Sequence, residues 1–283
     1  MTTSSDIALM LLALAVMAAW LGSGWMSVIV VRRLRAGLPA VAEAPQRPVP
    51  WRGIDVITAV MIMILARIVA QVAITGGSSG PADTTAPDMT AQLVAGVLAM
   101  VGGAAATAVM LRRRGATWAD LGLWPVAPAR DLRLGAGGLV LVLAPLLAIA
   151  ALLNRIVPYQ HPIIDYLNEH SDPLAIAVVV VAAIVVAPIA EEFLFRRVLQ
   201  GWLETLPLPF GPGSAIGLAS LAFALAHAGH GLAWLPLLAL GVVLGVLVRQ
   251  TGSIMPAILL HAFFNAVSVG LLLLQLSGVV PAS

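Results

Sequence analysis

The chain contains no cysteine, and only 10% of its 283 residues are charged and 5% aromatic. Without thiols it can build neither a disulfide framework, nor a thiolate zinc site, nor a cysteine nucleophile. Any metal would need histidine, aspartate or glutamate. Lysine is absent too: all 15 basic residues are arginine, set against 13 acids for a net charge of +2. That balance provides no basic face for nucleic acid. What the chain has in excess is hydrocarbon, with 60% hydrophobic residues and a mean hydropathy of +1.01. Such values lie outside the soluble globular range and predict an integral membrane protein. In lipid every backbone amide must be satisfied internally, so long apolar runs predict an all-α, polytopic bundle.

Eight apolar segments are expected to span: Ile7–Val31, Ile54–Ile74, Thr90–Leu111, Leu134–Leu153, a fifth from Pro173 through Pro188, Ser214–Ala228, Leu232–Val248 and Ile254 to about Ser277. The first has no basic residue before it and Arg32-Arg33-Leu34-Arg35 after it, which reads as a retained helix and not a cleaved signal. Arg67, inside the second, is expected to snorkel or to pair helices. Trp118 and Trp124 are placed in an interfacial aromatic belt. His161 and His170, with Asp165, Glu169 and Asp172, fall in an external loop and read as solvated residues. In this arrangement the cytoplasmic loops hold Arg32, Arg33, Arg35, Arg47, Arg52, Arg112, Arg113, Arg114, Arg130, Arg133, Arg196, Arg197 and Arg249, and the external side holds Arg155 alone. The asymmetry predicts both termini outside.

The fifth segment is the unusual one. No charge occurs from Pro173 to Ala190, and then Glu191 and Glu192 follow directly. Each acid costs roughly 2.5–3.5 kcal/mol at a bilayer centre and less near its edge. Either the helix surfaces there, or a carboxylate is being kept for chemistry. Pro188 is expected to kink the helix just before the acids. The last three segments add His227, His261 and Asn265, the latter two four apart and so on one helical face. Glu191 lies about as far before the turn Pro207–Gly213 as His227 lies after it, so an antiparallel hairpin brings both to one depth. His261 is nearer its own cytoplasmic turn, and a tilt or kink is needed to level it.

A carboxylate beside an imidazole can hold and deprotonate water. A second imidazole and an amide can donate to a developing oxyanion. The alternative is interhelical polar glue, common in membrane bundles.

The order Glu191-Glu192-x-x-x-Arg196, Phe223-x-x-x-His227 and His261-x-x-x-Asn265 resembles the CAAX-protease and bacteriocin-processing family of intramembrane proteases. The similarity covers roughly Leu134 to Leu274, and Trp118-Ala119-Asp120-Leu121-Gly122-Leu123 resembles a lead-in common in such proteins. The expected division is an N-terminal three-span region, residues 1–133, and a five-span protease-like region, residues 134–283. The resemblance implies an intramembrane endopeptidase in which Glu191 activates water, His227 helps to hold it, and His261 with Asn265 form the oxyanion site. Glu192 and Arg196 are a supporting pair, or else an exposed i, i+4 ion pair at the interface. Phe223 is a supporting residue, and His230 matches no family position.

Zinc on Glu191, His227 and His261 is chemically possible. No His-Glu-x-x-His helix is present, however, and a metal-free glutamate mechanism is favoured. The expected partners are the lipid bilayer and a peptide or membrane-protein substrate, with no nucleic acid. The arginine-rich, lysine-free composition suggests a bacterial source and a cell-membrane location. A non-catalytic scaffold or bacteriocin-immunity protein of the same family is the competing function. A small transporter would show repeated halves, and none is seen.

Overall fold

The computed structural model describes residues 4–45, 47–75, 89–123, 127–157, 166–167, 172–229 and 231–277. We number the main helices α1 (Ser4–Arg35), α2 (Gly53–Thr75), α3 (Met89–Arg113), α4 (Trp118–Leu121), α5 (Pro128–Asn154), α6 (Pro173–Leu203), α7 (Pro212–Leu225), α8 (Trp234–Thr251) and α9 (Met255–Leu276). No strand occurs among the described residues. His161, Asp165, Glu169, His170, Trp124 and His230 lie outside the described residues.

Seven of these helices are long and apolar enough to cross a bilayer. The departure from eight is α7, which has 14 residues. At 1.5 Å per residue it reaches about 21 Å, short of a hydrocarbon core of about 30 Å. Pro212 opens it, and it ends at Leu225, just before His227.

Close approach between helices follows the small residues. A side chain at Gly138 of α5 would meet Leu260 Cδ1 at 2.3 Å, and one at Gly135 would meet Leu259 Cβ at 2.7 Å, so α5 and α9 touch where α5 has no Cβ. Around this contact Val142, Leu146, Leu240, Leu244, Leu247 and Leu260 form a buried core shared by α5, α8 and α9. On the outer side, α1 rests on α5 through the Ser23 hydroxyl, which donates to the Leu141 carbonyl at 2.7 Å. Arg67 of α2 lies against Gly96 of α3, its Nη1 at 2.8 Å from where a Cβ would stand. It therefore sits in helix pairing. At the N-terminal end of α3 the polar tie is the Thr90 hydroxyl, which donates to Asp172 at 2.8 Å while Asp172 caps α6 by accepting from the Leu174 amide.

The segment between α1 and α2 is packed and not a loose linker. Val49 and Trp51 are buried, and the Trp51 indole donates to the Val198 carbonyl of α6 at 3.0 Å. The Gln250 side chain accepts from the Val41 amide at 2.7 Å, and its carbonyl accepts from the Ala44 amide at 2.8 Å. This segment therefore closes the end of the bundle where α8 stops and α9 begins. The packing of α1 and of residues 41–51 on α5, α6 and α8 runs across the 133/134 boundary expected from sequence.

α6 is not a regular α-helix. It passes through a π-helical stretch at Ala182–Val186, returns to α over Ala187–Glu191, and is π-helical again over Glu192–Gln200. The kink expected at Pro188 thus appears as a change of register. In the first π stretch the Ala187 amide bonds to Ala182, five residues back. The next amide in that register belongs to position 188, where proline has no N–H to give the Ala183 carbonyl.

Candidate functional site

The carbonyl left over by Pro188 is filled from another helix: Asn265 of α9 donates its side-chain amide to Ala183 O at 2.8 Å. That bond fixes the height of α9 against α6. One turn of α9 further along, the two helices meet again through His261 and Glu192, and Glu192 is paired within α6 to Arg196. His261 Nδ1 lies 2.9 Å from Glu192 Oε1, and Arg196 Nε donates to Glu192 Oε2 at 3.1 Å. Glu192 and Arg196 are essentially inaccessible, so the exposed ion pair considered from sequence is not what forms. Removing two such ions from water costs several kcal/mol each, recovered only when both are paired and hydrogen-bonded.

Glu191 points to the neighbouring space. Its carboxylate is 3.8 Å from His261 Nε2 and 4.0 Å from His227 Nε2. The Glu191 side chain is 19% exposed and that of His227 29%, against 0% for Glu192. The two consecutive acids therefore have different surroundings: one is sealed in a salt bridge, the other faces two imidazoles across a gap. Distances of 3.8–4.0 Å are too long for direct hydrogen bonds and suit a bridging water. His227 Nδ1 lies 2.8 Å from the Phe223 carbonyl; because a carbonyl only accepts, the proton is on Nδ1 and the Nε2 lone pair faces Glu191.

Phe223 holds this arrangement from below. It is fully buried, and its ring centroid lies 5.0 Å from that of His227, 5.7 Å from His261 and 5.5 Å from Phe195, with the Arg196 guanidinium 5.2 Å above its face. Despite the offset anticipated from its turn, His261 reaches Glu191, its Nε2 lying 3.8 Å from the carboxylate, and Ile254, Ala257 and Leu260 at the start of α9 are buried. The π stretch in α6 bears on that offset, because a wider turn advances less per residue.

The structure brings Glu191, Glu192, Arg196, Phe223, His227 and His261 together, while Asn265 bonds α6 two turns away from Glu191. Sequence reasoning missed Ser220, Gln200, Gly241 and Gly245. Arg196 Nη1 reaches the Ser220 hydroxyl at 3.5 Å, and Gln200 Nε2 donates to the Gly245 carbonyl at 3.0 Å. A Cβ at Gly241 would stand 3.2 Å from Arg196 Nη2, and one at Gly245 would stand 2.8 Å from Gln200 Oε1. Gly241-Val-Val-Leu-Gly245 is a small-xxx-small pattern, the signal in the sequence for this close approach.

Three histidine, aspartate or glutamate groups disposed to hold a metal ion are not found among the described residues. His261 Nδ1 is taken by Glu192, and its Nε2 faces Glu191, with His227 Nε2 on the other side of that carboxylate. On the α3-facing side of α6 an open apolar pocket of about 300 Å³ is lined by residues that include Val101, Ala104, Ala108, Val186, Ala190 and Phe193, and not by Glu191.

Fold and site together define a polytopic helical membrane protein with a carboxylate–imidazole cluster inside its bundle. Residues 173–267, from the first turn of α6 to just beyond Asn265, match the family model described as type II CAAX prenyl endopeptidase Rce1-like, about a third of the chain. No curated protein and no solved structure matches the chain. The family match supports an intramembrane protease acting on a peptide substrate.

Proposed function

We propose that the protein is an intramembrane endopeptidase in which Glu191 activates a water molecule for attack on a peptide carbonyl. The observation that carries this reading is the contrast between the adjacent acids: Glu192 is fully paired, and Glu191 is left facing His227 and His261 at 4.0 and 3.8 Å. A water in that gap donates one hydrogen to the Glu191 carboxylate and the other to His227 Nε2, leaving an oxygen lone pair for the carbonyl carbon. As the C–O bond forms, Glu191 takes the proton, and it returns that proton to the leaving amine when the C–N bond breaks. His261, held by Glu192, stabilises the oxyanion by donating from Nε2. For that role its ring carries both protons, a charge that the two adjacent carboxylates balance.

Asn265 enters the reading in two ways. Its amide has a second N–H that supports the oxyanion role implied by the family pattern, while the bond to Ala183 supports a positioning role. The apolar cavity next to Ala190 and Phe193 suits the hydrophobic part of a membrane-embedded or lipid-bearing peptide. No metal takes part in this mechanism. Purified, active protein is then expected to contain substoichiometric zinc. Stoichiometric zinc, lost together with activity in His227→Ala, would overturn that part.

The test is a comparison of membranes containing the wild-type protein or Glu191→Ala, in which neo-termini are sequenced across the proteome. A neo-terminus present only with the wild type supports the reading. Identical profiles favour a scaffold or immunity role.

A further inference from the structure

A second cavity, of about 280 Å³, lies at the far end of α6 from Pro173, between that helix, the end of α8 and the segment joining α1 to α2. Its lining includes Arg47, Arg196, Arg197, Arg249, Glu204 and Gln200. Arg196 is neutralised by Glu192. That leaves three guanidinium groups against the one carboxylate of Glu204, a net +2 from lining residues. The C-terminal ends of α6 and α8 favour cations, but each supplies only about half a negative charge. Asp120, just outside the lining, supplies a further carboxylate near Arg197 and Arg47, so the cavity is marked by its three guanidinium groups and not by a large net charge.

The arginines are held in place without being used up. Arg197 donates Nε to the Asp120 carbonyl, and its guanidinium lies 5.7 Å over the Trp51 ring. Arg249 stands 3.8 Å from Glu204, beyond hydrogen-bond length, and that carboxylate already accepts from Gln200 at 3.0 Å. Arg47 is exposed and lies within electrostatic reach of the Asp120 carboxylate, with no salt bridge of 4 Å or less among the described residues. Guanidinium groups converging from separate segments are the geometry that recognises a tetrahedral oxyanion through several N–H donors. The cavity also sits at the arginine-rich end of the bundle, where lipid phosphates lie.

We propose that this cavity binds a phosphate group, carried either by an anionic phospholipid or by a free phosphate. The site touches the Glu191 cluster only through Arg196, whose charge is taken by Glu192, and does not depend on peptide hydrolysis. Occupancy ties the α1–α2 segment to α6 and α8 and so stabilises the bundle from its end.

The experiment uses the full chain in an uncharged maltoside detergent and follows thermal unfolding with dioctanoyl-phosphatidylglycerol, dioctanoyl-phosphatidylcholine or inorganic phosphate added. The variants are Arg47→Gln, the double variant Arg47→Gln/Arg249→Gln, and Arg32→Gln/Arg35→Gln as a charge-matched control. Phosphatidylglycerol is expected to raise the wild-type midpoint by about 3–5 °C at saturation. The increment should shrink in Arg47→Gln, vanish in the double variant and persist in the control. A rise with phosphatidylglycerol alone identifies a lipid headgroup; an equal rise with inorganic phosphate identifies a free phosphate. No rise with either anion, a rise that survives in Arg47→Gln and the double variant, or one lost equally in the control overturns the proposal. Because Arg47 makes no close salt bridge among the described residues, its single variant remains informative even if the double variant fails to fold.

Discussion

His261 stands between two consecutive glutamates, with Nδ1 at 2.9 Å from Glu192 and Nε2 at 3.8 Å from Glu191. One ring thereby links a sealed ion pair to a carboxylate that is open to a substrate. The two acids should respond differently to the same substitution.

Glu191→Gln keeps the shape of the side chain but cannot accept a proton. Turnover of a substrate identified by its neo-terminus is expected to fall about 100-fold to 10,000-fold, with the unfolding midpoint close to wild type. Full activity in this variant would remove the proteolytic assignment.

Glu192→Ala leaves Arg196 buried and uncompensated, so stability should drop by roughly 3–5 kcal/mol. The loss should be visible as a lower melting temperature in detergent, whether or not substrate is present. Replacing both members, as in Glu192→Gln/Arg196→Met, should recover part of it, because no lone charge then remains. A double variant no more stable than Glu192→Ala would show that the pair contributes through shape and not charge.

Asn265→Ala should lower both activity and stability. Losing an oxyanion donor costs roughly 3–4 kcal/mol in the barrier, and an orphaned Ala183 carbonyl costs about 1–3 kcal/mol in stability. Asn265→Asp retains size but offers no N–H, so it should resemble the alanine variant. Unchanged melting in both variants would show that the Ala183 bond does not carry the contact between α6 and α9.

Topology follows from arginine placement and from the shortness of α7. Whether α7 reaches the far face or stops inside, α8 returns the chain to the arginine-rich side before α9 leaves it. A reporter fused after Ser283 is therefore expected outside, and one at Val41 in the cytoplasm. A cytoplasmic signal from the C-terminal fusion would require one crossing fewer.

The spans were legible because a helix in lipid must announce itself as a long apolar run, and the observed helices begin and end within a few residues of those runs. Glu191, His227 and His261 were legible because a polar group is expensive in such a run. The register of α6 was not: Pro188 signals an interruption, but whether it appears as a kink or a π stretch depends on Asn265, 77 residues later, being there to meet the freed carbonyl. The role of residues 41–51 was hidden for a similar reason. Their Pro- and Arg-containing composition reads as a linker, and only the hydrogen bonds to Gln250 and Val198 show them packed against α6 and α8. α7 misled in the opposite direction, its apolar run extending past the point where the helix ends.

Glu192 and Arg196 also bear on how the chain enters the bilayer during synthesis. They belong to one helix and lie four residues apart, so α6 carries its own counter-ion as it leaves the ribosome. Two of its four charges can be paired before α9 exists. Glu191 makes no salt bridge of 4 Å or less within its own helix, feeling Arg196 only at longer range; it meets His227 and then His261 as the following segments arrive. The cluster is therefore completed only when the last helix, which also fills the core shared with α5 and α8, is in place.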